Sequence, residues 1–263
     1  EYPKRFLHQL VSGQLDMDRL DYLRRDSFYT GVTEGNIGSA RIIKMLNVVD
    51  DNLVVDSKGI YSIENYLTSR RLMYWQVYLH KTTVGYEKLL VNLLSRAKYL
   101  ADQGETVFAT PALHFFLYNH IDKEAFVDNA EPLQHYKMLD DSDIWASVKA
   151  WTTHRDPILS LLSRNLIDRR IFKVEVRSTA VEEAEVMDIR HQIAQRYGLS
   201  FDDTAYLVNV STIRKDMYDI HDDHISILYK DGTIKDITEA SEILNISLLS
   251  KKICKYYLCY QRF

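Results

Sequence analysis

Ser12-Gly13-Gln14-Leu15-Asp16-Met17-Asp18-Arg19-Leu20-Asp21-Tyr22-Leu23-Arg24-Arg25-Asp26 carries the densest chemistry in the chain. Four carboxylates and three arginines alternate there with apolar residues. On a helix, Asp18, Tyr22 and either Arg25 or Asp26 share one face, because residues three and four apart are neighbours. Arg19 lies beside that face. A carboxylate is a hard oxygen ligand that suits Mg, Mn or Fe. The adjacent Arg and Tyr are able to hold phosphate oxygens and a sugar hydroxyl. Spacing alone does not separate this from a solvated helix face laced with salt bridges.

Working outward, the surrounding half of the chain reads as helical. Phe6, Leu7, Leu10 and Val11 recur at helical spacing, as do Leu20 and Leu23. Gly31, Gly35 and Gly38 punctuate a loop, and Asn36 or Ser39 is expected to cap a helix through Leu46. Ser57-Lys58-Gly59 between two β-rich runs predicts a short hairpin. A long helix is expected from about Glu64 to Leu100, with room for a break. Further helices are expected over Pro111–Tyr118, Asp122–Asp128, Ser142–Thr152 and Pro157–Asn165. Near Arg170 the pattern changes. Phe172 to Val176 alternates like a strand, Glu182 to Tyr197 reads as a helix closed by Gly198, and Lys230-Asp231-Gly232 marks a hairpin. Ala205–Val210 and Ile253–Tyr260 read as strands. The expectation is a mainly α protein: a helical part over 1–168 and a small α+β part over 169–263.

On the expected helix after Glu64, Arg70, Tyr74, Tyr78 and Lys81 recur at i, i+4, i+8 and i+11. Such a row is a plausible nucleotide rail, with cations for phosphate and a ring against sugar or base. A half-buried helix whose tyrosines fill the core has the same spacing.

Bulk numbers narrow the class. The chain has 263 residues, 46% hydrophobic and 27% charged, as in ordinary globular proteins. A net charge of -4 argues against bulk binding to nucleic acid, though not against a local phosphate pocket. No apolar run approaches the roughly 18 residues of a membrane span. Cys254 and Cys259 lie five apart on one expected strand, hence on opposite faces. They read as buried free thiols of a reducing compartment, which implies a cytoplasmic location. The chain opens Glu1-Tyr2-Pro3 as though mid-domain, so an upstream segment is expected.

The first stretch, with Tyr29-Thr30-Gly31-Val32 after it, resembles a segment of the HD-domain dNTP triphosphohydrolases. The family motif runs approximately D-x-D-[KR]-x-D-Y-x-x-R-D, and every fixed position is matched here. The resemblance implies Asp18 as the last metal ligand of an H…HD…D set and as the catalytic carboxylate. It implies Arg19 as a phosphate contact, with Tyr22 and Asp26 on the sugar. It continues over Thr68–Lys81, where Arg70 matches the phosphate-binding Arg and Tyr78 the sugar-side Tyr. Two positions depart from the family enzyme: Tyr74 stands where it has His and Leu79 where it has Gln, both on the substrate side. The resemblance covers roughly residues 5–170.

The rest of the metal set is not in the sequence. His8 is the one upstream His and has no Asp beside it. The His221-Asp222 dipeptide lies late, between β-like segments, and reads as a solvated loop. Thr153–Pro157 reads as a polar turn between helices, and His114 and His120 as packing residues. The expected cofactor is therefore a divalent metal (Mg, Mn or Fe, with Zn as a further candidate), its site incomplete in this chain. The implied reaction is dNTP to deoxynucleoside plus triphosphate in the full-length protein, this chain alone being inactive. The competing reading is a non-catalytic nucleotide-binding, oligomerisation or regulatory fragment. A dNTP-like substrate, a nucleotide effector and a homo-oligomer are the expected partners. Trp75, Phe115, Phe116 and Trp145 are candidates for either an interface or the core.

Overall fold

A computed structural model describes residues 3–215, 218, 224–241 and 253–263. Helices α1 (Arg5–Ser12), α2 (Met17–Thr30) and α3 (Ser39–Met45) lead into strands β1 (Leu46–Val49) and β2 (Asn52–Asp56). Helix α4 (Ile60–Met73) ends in a π turn over Tyr74–Tyr78, and α5 (Lys81–Asp102) follows. Five shorter helices come next: α6 (Pro111–Tyr118), α7 (Lys123–Asp128), α8 (Ala130–Met138), α9 (Asp141–Trp151) and α10 (Pro157–Ile167). The remainder is β3 (Lys173–Arg177), α11 (Glu183–Tyr197), β4 (Val208–Lys215), β5 (Ser226–Leu228), β6 (Ile234–Asp236), α12 (Ile237–Ala240) and β7 (Ile253–Tyr260). The protein is mainly α, with a small α+β C-terminal part.

The composition changes near Arg170, but the compact units do not part there. One comprises Glu1–His80 with Ile213–Lys255, the other Lys81–Thr212 with Tyr256–Phe263. The physical reason lies in strand pairing. In the first unit β5 pairs parallel with β2, Val55 opposite Ile227, and the sheet runs β1-β2-β5-β6. A late hairpin thus completes an early sheet. Leu20, Leu23, Ile42, Val55, Ile63, Leu67, Met73, Ile225, Ile227 and Ile237 form the core of this unit.

Local chemistry explains where the first-unit elements start and stop. Asp16 caps α2 by accepting the Arg19 N–H, and Gly31 closes it at φ 71°. The hairpin expected at Ser57-Lys58-Gly59 falls one step earlier, at Asp50-Asp51. Both aspartates have positive φ (47° and 60°), as a two-residue primed turn demands. Asp56 instead caps a short 3-10 turn over Ser57–Gly59, and α4 begins at Ile60. Helical rather than strand spacing wins because Ile60, Ile63 and Leu67 then share one buried face. Gly59 has to lack a side chain, since a Cβ would meet Val55 Cγ1 at 2.8 Å. Neither Asn36 nor Ser39 caps α3; Gly38 holds that position with no side-chain bond.

In the second unit α5 packs against α10 and β3. Arg96 of α5 is buried and fully engaged. It holds Asp156 through two bonds of 3.1 and 2.6 Å, and Asp203 at 2.8 Å. Asp156 also caps α10, so the expected polar turn at Thr153–Pro157 is an anchored one. His114 stacks on the Tyr118 ring with centroids 4.2 Å apart but is itself exposed, so it is a surface stack and not a core residue. His120 does not pack: its side chain is 80% exposed and reaches Asp102 at 3.2 Å. The three-stranded sheet has the order β3-β7-β4. Cys259 on β7 is buried, Cys254 is half-buried, and both are free thiols. Burial pushes the Cys259 thiol up to about 11.

Candidate active site

The link Gly13–Asp16 delivers α2 in a fixed pose. Arg19 Nη1 donates to Asp16 Oδ2 at 2.5 Å and to the Gly13 carbonyl, while Asp16 Oδ1 accepts the Arg19 amide at 2.7 Å. Asp18 follows on the first turn of α2. Its carboxylate is exposed and has no hydrogen bond or ion pair among the described residues. Arg25, on the same helix, pairs with Asp21 at 3.3 Å.

One and two turns beyond Asp18 come Tyr22 and Asp26, both half-buried. They meet residues from the end of α4. The Tyr78 hydroxyl donates to Asp26 Oδ2 at 2.8 Å. The Tyr22 and Tyr78 rings sit edge to face with centroids 5.9 Å apart, and Tyr74 and Tyr78 do so at 5.3 Å. The Arg70 guanidinium lies 5.9 Å from the Tyr74 ring centre. Tyr22, Asp26, Arg70, Tyr74 and Tyr78 therefore form one contiguous cluster.

The π turn assembles it. The Leu79 amide bonds to Tyr74 O at 2.7 Å, an i to i+5 bond. Within this turn the Tyr74 and Tyr78 rings meet edge to face. It also ends the helix, so Lys81 opens α5 in the other unit instead of extending the row.

Burial keeps Tyr22 and Tyr78 as O–H donors. Burial above all pushes Tyr22 up to about 12, with Tyr74 adding to the rise and the Arg70 and Arg19 cations opposing it. Tyr78 is raised well beyond the usual tyrosine range, first by burial and then by its bond to Asp26. At ordinary pH these hydroxyls are neutral and suited to sugar or phosphate oxygens.

Among the described residues no three His, Cys, Asp or Glu side chains gather as a metal set. Asp18 fits a divalent ion as a single oxygen ligand, being exposed and uncommitted. His221-Asp222 lies outside the described residues. The neighbouring His224 bonds to Asp236 at 3.0 Å.

Sequence reasoning missed Tyr66. Its hydroxyl donates to Gln14 O at 2.7 Å, holding the link before Asp18. Its signal was its position four residues before Arg70 and eight before Tyr74, on the same helical row.

Comparison with known proteins decides the family. Residues 37–106 match the model of the HD associated region. A phosphohydrolase of known structure from Bacteroides thetaiotaomicron is 64% identical, with a TM-score of 0.94 over 100% of this chain and 65% of its own. The chain belongs to the HD-domain phosphohydrolases. An uncharacterized Bacillus subtilis relative, YwfO, is 32% identical over 99% of this chain and 59% of its own length. A Dictyostelium discoideum deoxynucleoside triphosphate triphosphohydrolase is 28% identical over 95 residues, 35% of this chain and 18% of its own length. The chain thus spans 59% of the length of YwfO and 65% of the Bacteroides phosphohydrolase. No helix among the described residues is long and apolar enough to cross a membrane.

Proposed function

We propose that the full-length protein is a metal-dependent phosphohydrolase acting on nucleotides. The reaction it fits is dNTP plus water to deoxynucleoside plus triphosphate. The observation that carries this reading is the cluster that Tyr22 and Asp26, on the helix presenting Asp18, form with Arg70 of α4 and with Tyr74 and Tyr78 of the π turn. One cation, three tyrosine hydroxyls and one carboxylate are the donors and acceptor that a phosphorylated sugar needs. The similarity to the Dictyostelium deoxynucleoside triphosphate triphosphohydrolase homologue supports the same reading.

In this reading Arg70 binds phosphate. Arg19 reaches substrate only with the N–H groups not bonded to Gly13 and Asp16. Tyr22, Tyr78 and Asp26 orient the sugar, and Tyr74 borders it. Asp18 would hold the divalent ion (Mg, Mn or Fe, with Zn as a further candidate). That ion, when bound, supplies an activated water and neutralises phosphate charge. In this reading the 263-residue chain alone serves as a nucleotide-binding portion without turnover, since no His-Asp pair precedes Asp18 in its sequence. A nucleotide effector, and self-association through exposed aromatics such as Trp145, belong to the same proposal.

The test is hydrolysis of the four dNTPs by full-length protein with Mg or Mn, following triphosphate release. Absence of any nucleotide hydrolysis with metal bound would sink the reading. Release of orthophosphate would keep the hydrolase and change the bond cleaved. Turnover by the 263-residue chain alone would overturn its inactivity.

A further inference from the structure

Tyr66 is a fully buried side chain of α4. A buried hydroxyl costs free energy unless it is hydrogen-bonded. Its bond goes to the Gln14 carbonyl, 52 residues away in sequence. Gln14 belongs to the short link between α1 and α2. Gln14, Leu15 and Asp16 are each only 5% exposed.

That link is held at Gly13, Gln14 and Asp16. Gly13 donates its N–H to Gln9 O, and a Cβ there would lie 2.5 Å from the same oxygen. Arg19 holds the Gly13 carbonyl and the Asp16 carboxylate. Tyr66 holds the Gln14 carbonyl. Asp18 stands two residues past Asp16, and its own side chain has no partner among the described residues. The place of Asp18 is therefore set by the backbone that carries it, and Tyr66 ties that backbone to the helix bearing Arg70 and Tyr74.

We propose that Tyr66 is a positioning residue for Asp18: through Gln14 O it fixes the turn from which the metal-ligating carboxylate projects. This rests on the reading of Asp18 as a metal ligand. Burial keeps the Tyr66 hydroxyl protonated against the pull of the Arg70 and Arg19 cations, so it stays a donor. Residues that orient a metal ligand typically contribute about 10- to 100-fold in metal affinity.

The experiment uses the full-length protein and Tyr66→Phe, which removes one oxygen and keeps the ring. Titration of metal-free protein with Mn is expected to show about tenfold weaker binding. In turnover, kcat falls and KM for nucleotide stays nearly constant. Tyr218→Phe is the control, because Tyr218 is equally buried but its hydroxyl serves Asp236 and the Ile225 amide. It should leave Mn binding unchanged. Equal Mn affinity in wild type and Tyr66→Phe, or equal weakening by Tyr218→Phe, overturns the proposal.

Hydrogen exchange separates this result from the fate of the metal reading. In Tyr66→Phe the Arg19 and Leu20 amides should exchange about tenfold faster, a 1.4 kcal/mol loss of protection. If wild type binds no Mn, Asp18 is not a ligand, and unchanged exchange then removes the hold on the turn as well. If the variant does not fold, wild-type exchange decides. The Arg19 and Leu20 amides should be as slow as those of the α4 core, and faster local opening overturns the proposal.

Discussion

The Tyr78 hydroxyl donates to Asp26 Oδ2 at 2.8 Å, so a residue of the π turn is bonded to the second half of α2. A neutral donor on a carboxylate is worth about 1.5–3 kcal/mol. Tyr78→Phe is therefore expected to lower kcat/KM for nucleotides by about 10- to 100-fold. A double-mutant cycle with Asp26→Asn should show the two effects to be less than additive. Unchanged kcat/KM in both variants would take this pair out of the substrate site.

Arg70 is the half-buried cation of the cluster. A guanidinium's planar fork is able to bind phosphate through two parallel bonds, which a lysine cannot copy. Arg70→Lys should raise KM for nucleotide by about tenfold, and Arg70→Ala by more. Steady-state kinetics against dNTP concentration checks this; equal KM for wild type and Arg70→Ala would assign the phosphate elsewhere.

Among the described residues Asp18 makes no side-chain hydrogen bond or ion pair, and its one local role is as the acidic residue in the first turn of α2. Asp18→Asn should leave the melting temperature of full-length protein within about 2 °C of wild type, as surface substitutions usually do. The same change should abolish stoichiometric Mn binding and turnover. Retained metal in the variant would show that Asp18 is not a ligand.

Arg96 tests the second unit independently of catalysis. Its side chain and that of Asp156 are 9% and 10% exposed, and Asp203 shares the same guanidinium. Breaking a buried pair strands a charge, at a cost of roughly 3–5 kcal/mol. Arg96→Ala should lower stability by about that amount in denaturant unfolding. A change below about 1 kcal/mol would mean that solvent reaches the pair.

Tyr22 carries a pH signature. Its hydroxyl is raised from the ordinary 10.0 to about 12, so the fold favours the protonated form. The stability this contributes is complete below about pH 10 and is lost as pH rises through about 12. Thermal melts across that window should fall more steeply for wild type than for Tyr22→Phe. Parallel curves would show the phenol to be solvated.

How much of this was legible beforehand depends on the range of the force concerned. The helices around Asp18 and the strands at Phe172 and Ile253 follow from periodicity, because 3.6- and 2-residue repeats record which side chains face the core. Helix α8 escaped such a reading. Its Ala130–Met138 segment buries Pro132 alone, so its sequence shows no strong apolar stripe. The hairpin slipped by one turn because Asp50-Asp51 adopts positive φ without the glycine that usually signals it.

The sequence by itself determined the motif of α2, the row from Arg70 to Tyr78, the free cysteines and the family. These are written in neighbouring residues and in local spacing. Tertiary structure alone decided that Asp26 meets Tyr78, that Arg25 turns to Asp21, and that Arg19 and Tyr66 grip the turn before Asp18. It also decided that strand β5 completes the sheet begun by β1 and β2. Each of those depends on contacts between distant segments, or on which of several nearby partners a side chain takes. Hydrogen bonds and packing settle that choice only when the whole core has closed.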